Sequence, residues 1–212
     1  FSEGRSPEAI RQITDRIAAV SGVTVLHVDP GYDTNRTVVT FAGPPDVVVQ
    51  AAFQGIQAAA LLIDMREHHG AHPRLGATDV CPLVPISGIS LEETAQYARR
   101  LGERVGRELA IPVYLYEAAQ PDPARRNLAA IRAGEYEGLA EKLKRPEWRP
   151  DHGPAEWNAR TGATVIGARD FLVAYNVNLN TTSTRRANAI AFDVREAGRP
   201  KREGDSVTGK TV

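Results

Sequence analysis

A lone cysteine, Cys81, is all the thiol chemistry that this chain of 212 residues carries. It excludes an internal disulfide, and within the apolar run 80–86 it reads as a small buried hydrophobe suited to a reducing compartment, the cytoplasm. An excess of charge of either sign is also missing: 26 Lys and Arg balance 26 Asp and Glu. The net charge of zero removes the electrostatic signature of a nucleic-acid or acidic-membrane partner. No apolar stretch approaches the roughly 20 residues that span a bilayer, and no signal-peptide pattern opens the chain. The missing initiator Met places the expected natural start upstream. What is present, 42% hydrophobic and 25% charged residues, is ordinary globular composition, enough for one large or two small domains.

Three of the five histidines fall within five residues in the stretch 68–85, HHGAHPRLGATDVCPLVP. Gly70, Pro73 and Gly76 break any regular element there, so the stretch is a loop. It is fed by an apolar helical run, Val47 to Met65, and leads into a short buried strand, Val80 to Ile86. Polar loops pinned between core elements are where binding and catalytic groups collect. His68 and His72 have the i, i+4 spacing of zinc peptidases, but position 69 is His where that motif needs Glu, and Gly70 and Pro73 interrupt the helix. No metal is expected. Acid–base work suits an imidazole that titrates near neutrality, with Arg74 and Asp79 supplying charge. His68 and His69 read as caps of the preceding helix, where imidazolium complements the carbonyl end.

In chain order, Ser6-Pro7-Glu8 opens a helix whose stripe is Ile10, Ile13, Ile17 and Val20, ended by Ser21-Gly22. A strand follows at Val23 to Val28, then a loop of turn formers from Asp29 to Arg36, then a strand at Thr37 to Ala42. Asp29 and Asp33 can organise that loop, and Asp29, at the strand end, can also reach the histidine loop and orient an imidazole. Ser90 and Glu93 form a capping box for a helix from Leu91 to Leu109, and Pro112 to Tyr116 is a further strand. This order predicts an α/β fold, an α+β sandwich of loosely ferredoxin-like type, with a mixed β-sheet and helices packed on its outer face. From Glu117 to Gly162 the composition shifts to Pro, Arg, Ala, Glu and Trp, with short helical pieces near Leu128 and Tyr136 to Lys144. Ala163 to Ile166 looks like a strand, and Phe171 to Asn178 alternates as the clearest strand of the chain. Thr184 to Asp193 is helical, and 198–212 is a polar tail without a core face.

The run LIDMREHHGAHPRLGATDVCPLVPI, with FSEG at the start, DPGYDTNRTVVTF before it, and IRAGEYEGL and GPAEWNARTGATVIGARDFLVAYNVNL after it, closely resembles glutamate formimidoyltransferase. The likeness extends from Phe1 to about Arg199 and includes the transferase half of formiminotransferase-cyclodeaminase. It implies an N-terminal subdomain at 1–175 and the opening of a C-terminal subdomain at 176–212. It also implies transfer of a formimino group from N-formimino-L-glutamate to tetrahydrofolate, the co-substrate, in histidine degradation. His72 matches the family's catalytic histidine, with Asp29 as the candidate to orient it. Arg36 or Arg74 can grip a substrate carboxylate through a bidentate fork. The loop Gly153, Pro154, Ala155, Glu156, Trp157, Asn158, Ala159, Arg160, Thr161 and Gly162 matches the folate-binding segment, where planar Trp157 and Arg160 suit a pterin ring. A homodimer without nucleic-acid or membrane partners is the expected assembly. The competing readings are a folate-binding protein without turnover and a metal-dependent formiminoglutamate hydrolase.

Overall fold

A computed structural model describes residues 1–173, 177, 179–194, 199–203 and 206–211. It divides into two compact units, Phe1–Phe171 and Leu172–Val212. In the first unit, α1 (Pro7–Ala18) begins where the Ser6 hydroxyl accepts from the Ala9 amide, with proline at the first helical position. Its buried stripe is Ile10, Ile13 and Ile17. Strands β1 (Thr24–Gly31) and β2 (Arg36–Ala42) form an antiparallel pair. The expected loop at 29–36 is therefore shorter: β1 runs through Asp29 and Pro30, because a proline on an edge strand needs no ladder donor.

Helix α2 (Pro45–Leu62) ends three residues before the expected Met65, since Ile63 is already extended. Gly55 lets Ile17 of α1 pack against its backbone. After the histidine loop come β3 (Val80–Leu83), α3 (Leu91–Leu109), whose Ser90–Glu93 capping box forms as expected, and β4 (Val113–Glu117). Two short helices follow, α4 (Leu128–Arg132) and α5 (Glu135–Lys142), before β5 (Thr164–Ala168). β5 lies between β3 and β4 in an all-parallel sheet.

The expected α/β class is borne out, with the strands of this unit divided between the β1–β2 pair and the parallel sheet. Alternation along β4 and β5 sends Val113, Leu115 and Ile166 into a core with Leu101 and Val105 of α3 and Phe53 of α2. Tyr114, Tyr116 and Val165 point the other way, onto Ile131, Leu139 and Leu143. The segment 117–162 thus supplies a second helical layer, and the sheet is covered on both faces. Lys142 secures that layer by donating to the carbonyls of Ala130, Ile131 and Ala133 at the end of α4.

The expected strand at Ala163 to Ile166 is borne out as β5, which runs two residues further. β5 reads TVIGA, without alternation, because neither face meets water. The alternating run 171–178 is not a strand where it is described: 171–173 and 177 carry no regular structure, and 174–176 and 178 lie outside the described residues. In the second unit α6 (Thr184–Val194) forms close to expectation. The expected polar tail instead contains an antiparallel pair, β6 (Arg199–Glu203) and β7 (Ser206–Thr211). No helix among the described residues is long and apolar enough to cross a membrane.

Candidate active site

The histidine loop lies on the turn between β1 and β2. The Ala71 amide donates to the Asp33 carbonyl at 3.1 Å, and a Cβ at Gly70 would collide with the Thr34 carbonyl, so glycine is what permits this approach. Within the loop the three histidines separate by environment. His68 is buried: Nε2 lies 2.8 Å from the Asn35 carbonyl, and Nδ1 accepts from Arg74 Nε at 3.2 Å. An acceptor at Nδ1 leaves the ring proton on Nε2, so His68 is neutral, and burial pushes its pKa down accordingly. Neither His68 nor His69 caps α2, which has already ended at Leu62; His69 is exposed and its carbonyl accepts from Asn35 Nδ2.

His72 is half-buried. Its Nδ1 donates to the Pro73 carbonyl at 2.6 Å, which fixes the neutral tautomer with a bare Nε2. Nε2 has no hydrogen-bond partner among the described residues. Burial first, and then the positive charge of Arg36, holds the His72 pKa below the ordinary histidine value, with Arg132 adding to the effect and Asp79 opposing it. The lowered pKa favours the neutral ring, a base whose Nε2 lone pair is unengaged among the described residues. The expected contact to Asp29 is not made: Asp29 sits within β1 opposite Val38, and the backbone carbonyl of Pro73 orients the ring instead.

The two arginines proposed for a carboxylate part company. Arg36 is half-buried, its guanidinium has no hydrogen bond or ion pair among the described residues, and desolvation lowers its pKa while Asp79 and Asp29 raise it. Arg74 is buried, and its fork is fully committed to Glu135, Glu137 and His68. It has no donor left for a substrate. Asp79, almost fully buried, is likewise occupied, accepting from the Leu75 amide at 3.1 Å and pairing with Arg132. Arg132 was not legible as part of this site, because a lone arginine on a short helix some fifty residues away has no local signature.

The loop 153–162 is anchored at both ends and open between them. Asn158 Oδ1 accepts from the amides of Arg160 and Thr161, the Thr161 carbonyl accepts from Ala77, and Arg160 donates to the Leu61 carbonyl at 2.7 Å and pairs with Asp64. Ala155, Glu156 and Trp157 are exposed, with Pro154 beside them half-buried. Trp157, 40% exposed, lies against Tyr136 with ring centroids 4.9 Å apart, and the Tyr136 hydroxyl donates to the Ala159 carbonyl. The indole thus stays partly open to solvent.

Gly153 and Gly162 are each demanded by a contact within the protein. Both have positive φ, +80° and +63°, and a Cβ would collide with the Ile111 carbonyl or the Leu75 carbonyl, inside the protein. Gly162→Ala is therefore expected to lower stability by about 1–3 kcal/mol through strain. Chemical denaturation followed by circular dichroism checks it; an unchanged midpoint would mean that the Leu75–Gly162 contact is looser than it looks.

Residues 1–169 match the family model described as the formiminotransferase domain, N-terminal subdomain. The chain belongs to the formiminotransferase family. The formimidoyltransferase-cyclodeaminase of Dictyostelium discoideum is 49% identical over 210 residues, which is 99% of this chain and 38% of that protein. The glutamate formimidoyltransferase of Thermoplasma acidophilum is 49% identical over 197 residues, 92% of this chain and 65% of its own length. That of Streptococcus pyogenes serotype M1 is 42% identical, covering 93% and 66%. The chain therefore spans a little over a third of the cyclodeaminase relative and about two thirds of the two formimidoyltransferases. Among its described residues this formiminotransferase chain gathers no group of three or more His, Cys, Asp and Glu of the kind that holds a metal.

Proposed function

We propose that the protein transfers the formimino group of N-formimino-L-glutamate to tetrahydrofolate, giving L-glutamate and 5-formiminotetrahydrofolate, as a cytoplasmic homodimer serving histidine degradation. The observation that carries this reading is His72, an imidazole of lowered pKa with Nδ1 tied to the Pro73 carbonyl and Nε2 unengaged among the described residues, within the field of Arg36, which has no ion pair among those residues. His72 Nε2 accepts the proton released when a nitrogen of tetrahydrofolate bonds to the amidine carbon. It then returns a proton to the glutamate nitrogen as the carbon–nitrogen bond to glutamate breaks. One imidazole performs both steps because it titrates close to neutrality. The Arg36 guanidinium takes a substrate carboxylate through paired hydrogen bonds; burial lowers its pKa, and the charges of Asp79 and then Asp29 act against that. The partly exposed indole of Trp157 stacks the folate ring, with Pro154, Ala155, Glu156, Ala159 and Arg160 bordering it. Residues 176–212 open the C-terminal subdomain.

A spectrophotometric assay for formiminotetrahydrofolate with the full-length protein tests the reaction. Activity is expected to survive prolonged chelation. Both ring nitrogens of His68 are already bonded, to Asn35 and Arg74, so the His68–His72 pair has no vacant first ligand for zinc. Activity lost to chelator and restored by zinc would point to the hydrolase reading, and tight folate binding without turnover to a binding protein.

A further inference from the structure

Five N–H bonds of one guanidinium tie the histidine loop to α5, and His68 carries the link on to the segment of Arg36. Arg74 Nε donates to His68 Nδ1 at 3.2 Å, Nη2 donates to the His68 carbonyl at 3.2 Å and to Glu137 Oε1 at 2.7 Å, and Nη1 donates to Glu137 Oε2 at 2.9 Å and Glu135 Oε2 at 3.3 Å. That is the whole donor set of an arginine, in a fork that lysine, with three donors on one nitrogen, cannot reproduce. The chain continues beyond it: His68 Nε2 donates to the Asn35 carbonyl, while the Asn35 carboxamide accepts from the Gly4 amide at 2.9 Å and donates to the His69 carbonyl at 3.0 Å. Asn35 holds a positive φ of 46°, and the next residue is Arg36. At the other end Arg74 stands two residues after His72. The same guanidinium lies over the Tyr136 ring, 5.8 Å from its centroid, and Tyr136 backs Trp157.

We propose that Arg74 is a positioning residue, whose guanidinium acts through His68 and Asn35 to set the spacing between His72 and Arg36. The inference rests on the formimino-transfer reading for its functional meaning, although the geometry stands without it. A purely structural arginine would need only to satisfy the acids of α5. Two of the five bonds go instead to the histidine loop, and the tautomer that they impose on His68 is what lets the ring bridge to the strand carrying Arg36.

The test is Arg74→Lys in the full-length protein, with two readouts. At a temperature well below unfolding, kcat/KM for formiminoglutamate should fall about tenfold to a hundredfold, as for a displacement near 1 Å at a reacting centre. Imidazole NMR of labelled protein should show His68 of the parent with its proton on Nε2 between about pH 6 and 8. In the variant His68 should exchange tautomers. His72, faced by Arg36, Arg132 and Asp79, should titrate higher as Arg36 moves away; the groups facing His68 are Arg74, Glu3 and Arg5. A variant that only unfolds earlier, with the parent's kcat/KM and His72 titration, would make Arg74 structural and overturn the proposal. Should Arg74→Lys fail to fold, Glu137→Gln weakens the same fork from its exposed side, and the same two shifts, smaller, are expected; their absence counts equally against it. A parent without formimino transfer whose His72 nevertheless shifts in the variant would refute the reaction and leave the positioning role standing.

Discussion

His72→Ala is expected to lower kcat by about a hundredfold or more, the usual loss for a general acid–base group. Among the described residues the ring makes one hydrogen bond, to the carbonyl of its neighbour Pro73, so its removal leaves the loop held by His68, Gly70 and Asn35. Folate binding and the unfolding temperature should therefore change little. The pH dependence supplies a second signature. A base works only when deprotonated, and burial together with Arg36 lowers the His72 pKa. Activity of the parent should thus decline on the acid side at a pH below the ordinary histidine value, and that limb should vanish in the variant. Turnover that survives the substitution intact would remove His72 from the proton path.

Arg36→Met should raise the KM for formiminoglutamate by about a hundredfold, equivalent to roughly 2.7 kcal/mol, the range of a charge-assisted pair. The argument turns on the state of the free protein. A half-buried guanidinium without hydrogen bond or ion pair among the described residues carries a desolvation cost that the charges of Asp79 and Asp29 offset only in part. Replacing it with an apolar chain of similar length removes that cost, so thermal stability should hold or rise while substrate affinity drops. Arginines kept for the fold behave the opposite way, as Arg132, paired with buried Asp79, should. An unchanged KM, or a loss of stability without a loss of affinity, would assign Arg36 to the scaffold.

Local chemistry was legible in the sequence wherever neighbours in the chain decided it. Ser6 before Pro7 and Ser90 before Glu93 announced helix starts, and the glycine–proline content of 68–76 announced the loop. The strand beginning near Ala163 was legible, but its central place in the sheet was not: TVIGA is buried on both faces and has no alternation, whereas the alternating run after Phe171 carries no regular structure where it is described. The site divides similarly. His72 was marked by its company of histidines, but what orients it is the adjacent Pro73 carbonyl, and no side-chain pattern encodes that. Arg36 and Arg74 looked equivalent as cations in polar loops. Only the fold, by bringing Glu135 and Glu137 to Arg74 and no ion-pair partner among the described residues to Arg36, tells the internal clamp from the uncommitted fork. Gly153 and Gly162 were rightly singled out as special, yet the atoms that demand glycine belong to Ile111 and Leu75.

The fate of the formimino carbon decides the reaction most directly. Full-length protein incubated with formiminoglutamate labelled with carbon-13 at that carbon, and with tetrahydrofolate, should move the label onto the folate in step with glutamate release, and should stop doing so in His72→Ala. Label appearing as formamide, or remaining on glutamate while folate is bound, would contradict a formimino transfer carried by His72.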